Sequence, residues 1–248
     1  MRAFDVRHST PWVLALAMAA TVPLGHAQGV ALAAFSEAPV GAAPPAWKFA
    51  TLPNKQPTRF DVVDLGGVHV LKVQADDSYG TLIHALRTPV TAQATLAWRW
   101  RMEQLNDAAD IRQRSGDDSP AKICVFFAFE ASRLSFGERA KLALAKTTTG
   151  QEVPAETLCY VWDNKVAVDT GLQNAFTSRI RMIVVDSGAA KVGQWVAQRR
   201  NLAADYQRMF GDESDGKIPE ITGVAVSADA DNTHGHSVAY VGDVTLAP

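Results

Sequence analysis

The 248-residue sequence lacks the short motifs that mark the common catalytic and nucleotide-binding families. It contains no G-x-S-x-G, G-x-G-x-x-G, P-loop, H-E-x-x-H or C-x-x-C pattern. These absences exclude the usual hydrolase, nucleotide-binding and zinc signatures. An excess of one charge is also missing, because 24 basic residues stand against 26 acidic residues. A nearly neutral chain has no electrostatic footprint for nucleic acid or anionic lipid, so neither is an expected partner.

Cysteine is scarce, and the two cysteines, Cys124 and Cys159, each lie within an apolar run typical of a strand. Two alternatives follow from this placement. The cysteines form a disulfide, which an oxidising compartment permits, or they are buried thiols that pack as small hydrophobic groups. A disulfide requires Cα atoms closer than about 7 Å, and the sequence leaves that distance open.

Long apolar runs are missing after the N-terminal segment, so no transmembrane helix is expected beyond it. Residues 1–27 have the features of a signal peptide, with basic Arg2 and Arg7, an uncharged apolar run at 12–22 and small residues before position 28. An uncleaved N-terminal anchor is the alternative interpretation. Cleavage predicts a periplasmic or secreted protein in which residues 28–248 form a single domain, although two smaller domains also fit the length.

Residues 95–102 show the two-residue hydrophobic alternation of a half-buried strand. The apolar face of this strand holds Leu96, Trp98, Trp100 and Met102. Further strand-like segments follow at short intervals, and residues 122–130 are apolar on both faces, as in a central strand. Because regular helical crossovers are lacking between the strands, the sequence predicts an all-β fold, an antiparallel β-sandwich or jelly roll.

Three segments interrupt or precede this pattern. Short helices are predicted at 137–146 and at 201–210, and the second begins at an asparagine cap and stops at Gly211. Upstream, residues 33–37 are the one strand-like segment in an Ala- and Pro-rich region.

Charged side chains near the tryptophan strand are the candidate ligand-binding residues. Arg99 and Arg101 lie on its polar face, Asp117 and Asp118 lie in a loop before the central strand, and Arg199 precedes the 201–210 helix. A sugar has an apolar C–H face and polar edges, so neighbouring aromatic and charged groups suit a saccharide. An arginine near a helix start also suits an anionic group. The alternatives are a solvated ion network and a helix that only closes the sandwich.

Oxygen donors near the C-terminus suggest an ion site. Asp229, Asp231 and Asp243 occur close together, and Glu37 lies on the predicted first strand, where it could face Asp243. Calcium prefers six to eight oxygen ligands. The expectation is therefore either a structural calcium ion or no cofactor, with an ordinary polar turn as the alternative.

The order of several short motifs resembles one bacterial family. W-R-W-R at 98–101 and D-D-S-P-A-K at 117–122 are followed by R-R-N-L-A-A-D-Y at 199–206 and D-A-D-N-T at 229–233. This order resembles the domain-of-unknown-function family numbered 3047 over nearly the whole chain, from about residue 35 to 246. The resemblance implies exported proteins with a sandwich of the galactose-binding or carbohydrate-module type. It implies no established activity and no catalytic residues.

These observations favour an exported, non-catalytic β-sandwich that binds a saccharide or cell-envelope glycan. A glycan-acting hydrolase or lyase is one alternative, and a structural or assembly protein of the envelope is another. Asp117 and Asp118 are adjacent and would face opposite ways in a strand. They are therefore a poor acid and nucleophile pair, which disfavours a glycosidase.

Overall fold

Two β-sheets form the body of the protein. The computed structural model describes residues 30–128, 131–149 and 156–247, so the predicted signal peptide at 1–27 lies outside the described residues. Each sheet contains eight of the described strands. The prediction of a β-rich sandwich with short helices is therefore confirmed. Within the described ranges, no helix combines the length and the hydrophobicity needed to cross a membrane.

The first sheet draws strands from both ends of the chain. From edge to edge its main path is β1 (Val30–Ala33), β16 (Val244–Ala247), β8 (Thr95–Gln104), β15 (His236–Val241), β6 (His69–Asp76), β5 (Arg59–Asp64) and β2 (Gly41–Ala42). A further strand, β13 (Val196–Asn201), pairs with β8. All of these pairs are antiparallel.

The second sheet carries the central part of the chain. Its main path is β11 (Gly171–Gln173), β12 (Ile180–Ser187), β10 (Glu156–Asp163), β9 (Ser119–Phe127), β14 (Ile221–Asp229), β7 (Ser78–Thr88) and β3 (Trp47–Ala50), and β4 (Gln56–Pro57) pairs with β7. Most pairs are antiparallel, as predicted. The β10–β12 and β4–β7 pairs are parallel, and the sequence analysis did not predict them.

The hydrophobic core lies between the two sheets and is rich in tryptophan. Trp98 and Trp100 of β8 are 3% and 0% exposed, and their rings meet edge to face with centroids 5.5 Å apart. Trp100 Nε1 donates a hydrogen bond to Asp186 Oδ2 at 2.9 Å, which satisfies the indole N–H within the core. Because β8 alternates, Arg99 and Arg101 point to the outer face of the first sheet.

Two α-helices and short 3-10 turns accompany the sheets. Helix α1 spans Phe136–Thr149 and helix α2 spans Leu202–Phe210. The predicted cap of α2 is confirmed, because Asn201 Oδ1 accepts a hydrogen bond from the Ala204 N–H at 2.8 Å. The Tyr206 ring lies 4.7 Å from that of Phe127, so α2 packs onto the core.

The predicted strand at 33–37 is wrong. Strand β1 ends at Ala33, and Phe35–Glu37 form a 3-10 turn that buries Phe35. A turn that inserts one large apolar side chain into a core produces the same local alternation as a short strand, so the pattern alone does not distinguish the two.

The two cysteines form a disulfide between neighbouring strands of the second sheet. Cys124 of β9 and Cys159 of β10 are directly opposite in the antiparallel register, with Cα atoms 4.0 Å apart. Both cysteines belong to a second apolar cluster, distinct from the core between the sheets. The disulfide alternative of the sequence analysis is the one that the structure shows.

Candidate functional site

A cleft of about 600 Å³ opens on the outer face of the second sheet. Strands β7, β14, β9, β10 and β12 contribute its floor, and neighbouring loops form its walls. Along β9, Ile123 and Val125 enter the core between the sheets, whereas Lys122, Cys124 and Phe126 face the cleft. The two-residue period of the strand thus supplies both surfaces. This is why the β9 sequence is largely apolar on both faces.

Strand register divides the cleft into a polar end and an apolar floor. The polar row consists of Thr81, Ser227 and Lys122 on adjacent strands. The next row consists of Ile83, Ala225, the Cys124–Cys159 disulfide and Met182. The last row consists of Phe126, Thr157 and Ile180. A ligand that spans these rows would therefore meet polar groups first and apolar groups beyond them.

A buried ion pair anchors the polar end. Lys122 Nζ lies 2.5 Å from Asp229 Oδ2, and Asp229 Oδ1 accepts the Ser119 N–H at 2.7 Å. Burial raises the pKa of Asp229 to about 6, against the opposing effect of Lys122. Burial also acts to lower the pKa of Lys122, but the carboxylates of Asp229 and Asp117 outweigh it and raise that pKa. Lys122 is therefore a fixed cation at neutral pH.

Asp117 lines the cleft beside this pair. Its Oδ2 accepts a hydrogen bond from the side-chain amide of Asn174. Burial is the largest cause and raises the pKa of Asp117. The Lys122 ammonium group and the Asn174 hydrogen bond oppose that shift, and the carboxylates of Asp118 and Asp231 add to it. The structure thus places one of the predicted ligand-binding residues, Asp117, in the cleft.

Asp231 and Lys55 form a second ion pair at the same end. Lys55 Nζ lies 2.6 Å from Asp231 Oδ2, and the Asp231 side chain is 5% exposed. The hydrogen bond that Lys55 donates to Asp231 is the main cause that raises the pKa of Lys55. Both residues line the cleft, so its polar end holds two lysine–carboxylate pairs.

Apolar side chains from loops complete the walls. Phe176, between β11 and β12, is 54% exposed, and its N–H donates to Asn174 Oδ1 at 3.0 Å. Leu52 lies in the loop between β3 and β4, near the other edge of the second sheet, and is 37% exposed. An exposed aromatic ring at the rim of a cleft is a surface on which a ligand can stack.

Asp118, another predicted ligand-binding residue, holds a loop instead. It is 1% exposed, and its two oxygens accept hydrogen bonds from the backbone and side chains of Asn232 and Thr233 at 2.6–3.2 Å. The side chain therefore fixes the turn between β14 and β15, and through it the position of Asp231.

Replacing Asp118 with alanine is expected to lower the free energy of unfolding by about 2 kcal/mol, because buried donors lose a charged acceptor. The effect stays moderate since Asn232 and Thr233 are half-buried and water reaches part of the turn. Urea unfolding of Asp118→Ala and of the exposed control Asp61→Ala measures the difference. Equal stability of the two variants would contradict the loop-holding role.

Arg99, Arg101 and Arg199 lie away from the cleft, on the outer face of the first sheet. The Arg99 guanidinium lies over the Trp195 ring at 4.8 Å, and Arg101 pairs with Glu103 at 2.9 Å. Arg199 is exposed on β13. The sheets are packed face to face, so these arginines and Asp117 are on opposite sides of the sandwich. The structure does not bring the predicted arginine–aspartate set together.

The four predicted calcium ligands are also dispersed. Asp229 and Asp231 are each bound by a lysine, and Asp243 accepts hydrogen bonds from the Ser36 N–H at 2.9 Å and its hydroxyl at 2.6 Å. Glu37 lies in the 3-10 turn beside Ser36. Among the residues that the structure describes, no group of three or more His, Cys, Asp or Glu could hold a metal ion. The charges of Asp229 and Asp231 are met by the ammonium groups of Lys122 and Lys55 instead.

Lys122, Asn174 and Phe176 are among the cleft residues that were not predicted from the sequence. Lys122 carried a usable signal, because a charged residue in a strand that is apolar on both faces requires a buried counter-ion. Asn174 and Phe176 carried none, since they belong to a loop whose path depends on tertiary contacts.

The sequence profile of one protein family matches most of the chain. The family is described as "Protein of unknown function (DUF3047)", and the match covers residues 45–245. No curated protein matches the chain.

Solved structures of similar fold share few identical residues with this chain. The Trichoderma harzianum endoglucanase 3 of family GH12 is 8% identical, with a TM-score of 0.43 over 84% of this chain and 93% of that one. The family 11 carbohydrate-binding module from Clostridium thermocellum, solved with a β-1,3-1,4-mixed-linked tetrasaccharide, is 8% identical, with a TM-score of 0.41 over 83% and 90%. The Spr0440 glycoside hydrolase domain, Endo-D from Streptococcus pneumoniae R6, is 10% identical, with a TM-score of 0.34 over 81% of this chain and 21% of that one. The chain spans about a fifth of the Endo-D structure's length.

Proposed function

The chain belongs to the DUF3047 family, whose function is unknown, and from the geometry of the cleft we propose that it binds a saccharide there. The observation that carries the proposal is the joining of a polar end, built on Lys122, Asp117 and Asp229, to an apolar floor within one cleft of about 600 Å³. Ligand sites of this size are mostly apolar with a few placed polar groups. A pyranose ring offers a matching apolar face and polar edges.

The hydrogen bonds of Asp229 and Asp118 disfavour a role for these two carboxylates in hydrolysis. A glycosidase needs two carboxyl groups that act on either side of the scissile bond. Both oxygens of Asp229 are engaged, by Ser119 and Lys122, and both oxygens of Asp118 hold the neighbouring turn. Such carboxylates are fixed as parts of the scaffold and are not free for proton transfer.

The disulfide supports a location in the cell envelope or outside the cell, and the concave shape of the cleft supports a small ligand. The Cys124–Cys159 disulfide suits an oxidising compartment, in agreement with the proposed signal peptide and with a periplasmic or secreted location. A concave cleft also suits a small ligand better than the flat apolar patch that an assembly protein would present. The proposed ligand is therefore a saccharide of the cell envelope or its surroundings.

A glycan-array screen of the purified protein tests the proposal, followed by titration calorimetry of the strongest ligand. We expect Phe176→Ala to raise the Kd about five- to tenfold, because an aromatic contact is worth about 1 kcal/mol. Thr81→Trp should weaken binding further by filling the polar end of the floor.

The matched control is Phe136→Ala, since Phe136 is an 81% exposed phenylalanine that does not line the cleft. Arg101→Ala controls for the outer face of the first sheet. An array without any bound glycan, or a Kd raised by Arg101→Ala and unchanged in both cleft variants, would contradict the proposal.

A further inference from the structure

The polar end of the cleft has more negative than positive groups. Four aspartates contribute carboxylates there: Asp117, Asp118, Asp229 and Asp231. Two lysines oppose them, and each is bound to one partner: Lys122 to Asp229 and Lys55 to Asp231. The Asp118 charge is met by neutral donors of the turn.

Asp117 remains without a bound cation. Its hydrogen bond comes from the neutral amide of Asn174, and within the described residues no lysine, arginine or histidine nitrogen lies within 4 Å of its carboxylate. The Lys122 charge acts on Asp117 only from beyond that distance, while Lys122 itself is bound to Asp229. Asp117 is 7% exposed. An ionised carboxylate in such a place is costly unless a positive group approaches it.

A second acceptor at the same end lacks a donor. Asp231 Oδ1 is buried and has no hydrogen-bond partner among the described residues, although Asp231 lines the cleft and its Oδ2 is bound by Lys55. Buried polar atoms in native structures are nearly always hydrogen-bonded. Asp231, which lacks a hydrogen-bond donor, and Asp117, which lacks a bound cation, both line the polar end of the cleft. We call this pair of residues the Asp117–Asp231 wall.

We propose that the saccharide carries a free primary amine, and that the Asp117–Asp231 wall binds its ammonium group. This inference rests on the proposed function. An ammonium group has one positive charge and three N–H donors, so it supplies both things that the wall lacks. A hydroxyl group supplies only a neutral donor. The substrate class is thus an oligosaccharide with unacetylated amino sugars.

An organic cation fits this wall better than a metal ion. Within the described ranges, no cluster of three or more potential ligands is arranged to hold a metal. Hydrogen-bonded contact with two carboxylates is sufficient for an ammonium group, whereas calcium requires six to eight oxygens.

Titration calorimetry with two matched tetrasaccharides tests the inference: a β-1,4-linked glucosamine tetramer and its fully N-acetylated form, at a pH below the measured pKa of the tetramer's amines, so that these amines are protonated. We expect the free amine to bind about tenfold or more tightly than the acetylated form. Asp117→Asn should remove most of that preference. Asp61→Asn, an exposed aspartate on the outer face of the first sheet, should leave it unchanged. Melting temperatures confirm that both variants are folded.

Equal affinity for the two tetramers, or tighter binding of the acetylated one, would overturn the ammonium site and leave the proposed function standing. A preference that survives Asp117→Asn would overturn the assigned wall. If the free-amine tetramer fails to bind while other glycans bind on the array, the inference is wrong. If no glycan binds at all, the proposed function fails first.

Discussion

Replacing Lys122 with methionine is expected to lower the free energy of unfolding by about 3–5 kcal/mol, because Asp229 is left as a buried charge without its counter-ion. Asp229 is 4% exposed and its carboxylate lies 2.5 Å from the Lys122 ammonium group. For a domain of this size, about 2–4 °C of melting temperature is lost per kcal/mol. The melting temperature should therefore fall by roughly 6–20 °C, measured by circular dichroism at neutral pH.

The double variant Lys122→Met with Asp229→Asn distinguishes the stability lost by leaving a buried charge unpaired from the stability lost by changing the Lys122 side chain. Removing both charges should restore much of the lost stability, since the desolvation penalty of the unpaired carboxylate disappears. Lys48→Met, at an exposed lysine of β3, is the matched control. If Lys122→Met is no more destabilising than Lys48→Met, the pair does not organise the polar end.

Loss of the Cys124–Cys159 disulfide is expected to cost about 2–4 kcal/mol of unfolding free energy, because the bond closes a loop in the unfolded chain. The two cysteines are 35 residues apart in sequence. Guanidinium unfolding of the Cys124→Ala/Cys159→Ala variant and of the native protein with reductant measures the effect. Both preparations should lose stability to a similar degree.

The matched control is the same pair of measurements on the double variant, where reductant has no bond to cleave and should change nothing. Native protein whose unfolding midpoint is unaffected by complete reduction, verified by thiol titration, would contradict a stabilising cross-link. The cleft should still bind its ligand after reduction at low temperature, because the paired strands β9 and β10 also share a backbone hydrogen-bond ladder.

Much of the fold was predictable because hydrophobic alternation is a local signal. The tryptophan strand shows this, since Trp98 and Trp100 enter the core as the two-residue period requires. The asparagine cap of α2 is equally local. The parallel pair of β10 and β12 was not predictable, because strand neighbours depend on how distant segments meet.

The candidate site was predicted only in part, for the same reason. Asp117 lines the cleft, but Arg99 and Arg101 were assigned to the same site although their strand belongs to the other sheet. Polar residues near in sequence were assumed to be near in space. In a sandwich, adjacent strands of the sequence can belong to different sheets, so this assumption fails.

We propose that the ligand lies on the outer face of the second sheet. Backbone amide NMR of the labelled protein, titrated with the strongest glycan from the array, tests it most directly. We expect chemical-shift changes concentrated around Thr81, Lys122 and Phe176, with the amides near Arg99 and Arg199 unchanged. Changes concentrated on the arginine face, with the cleft unaffected, would contradict it.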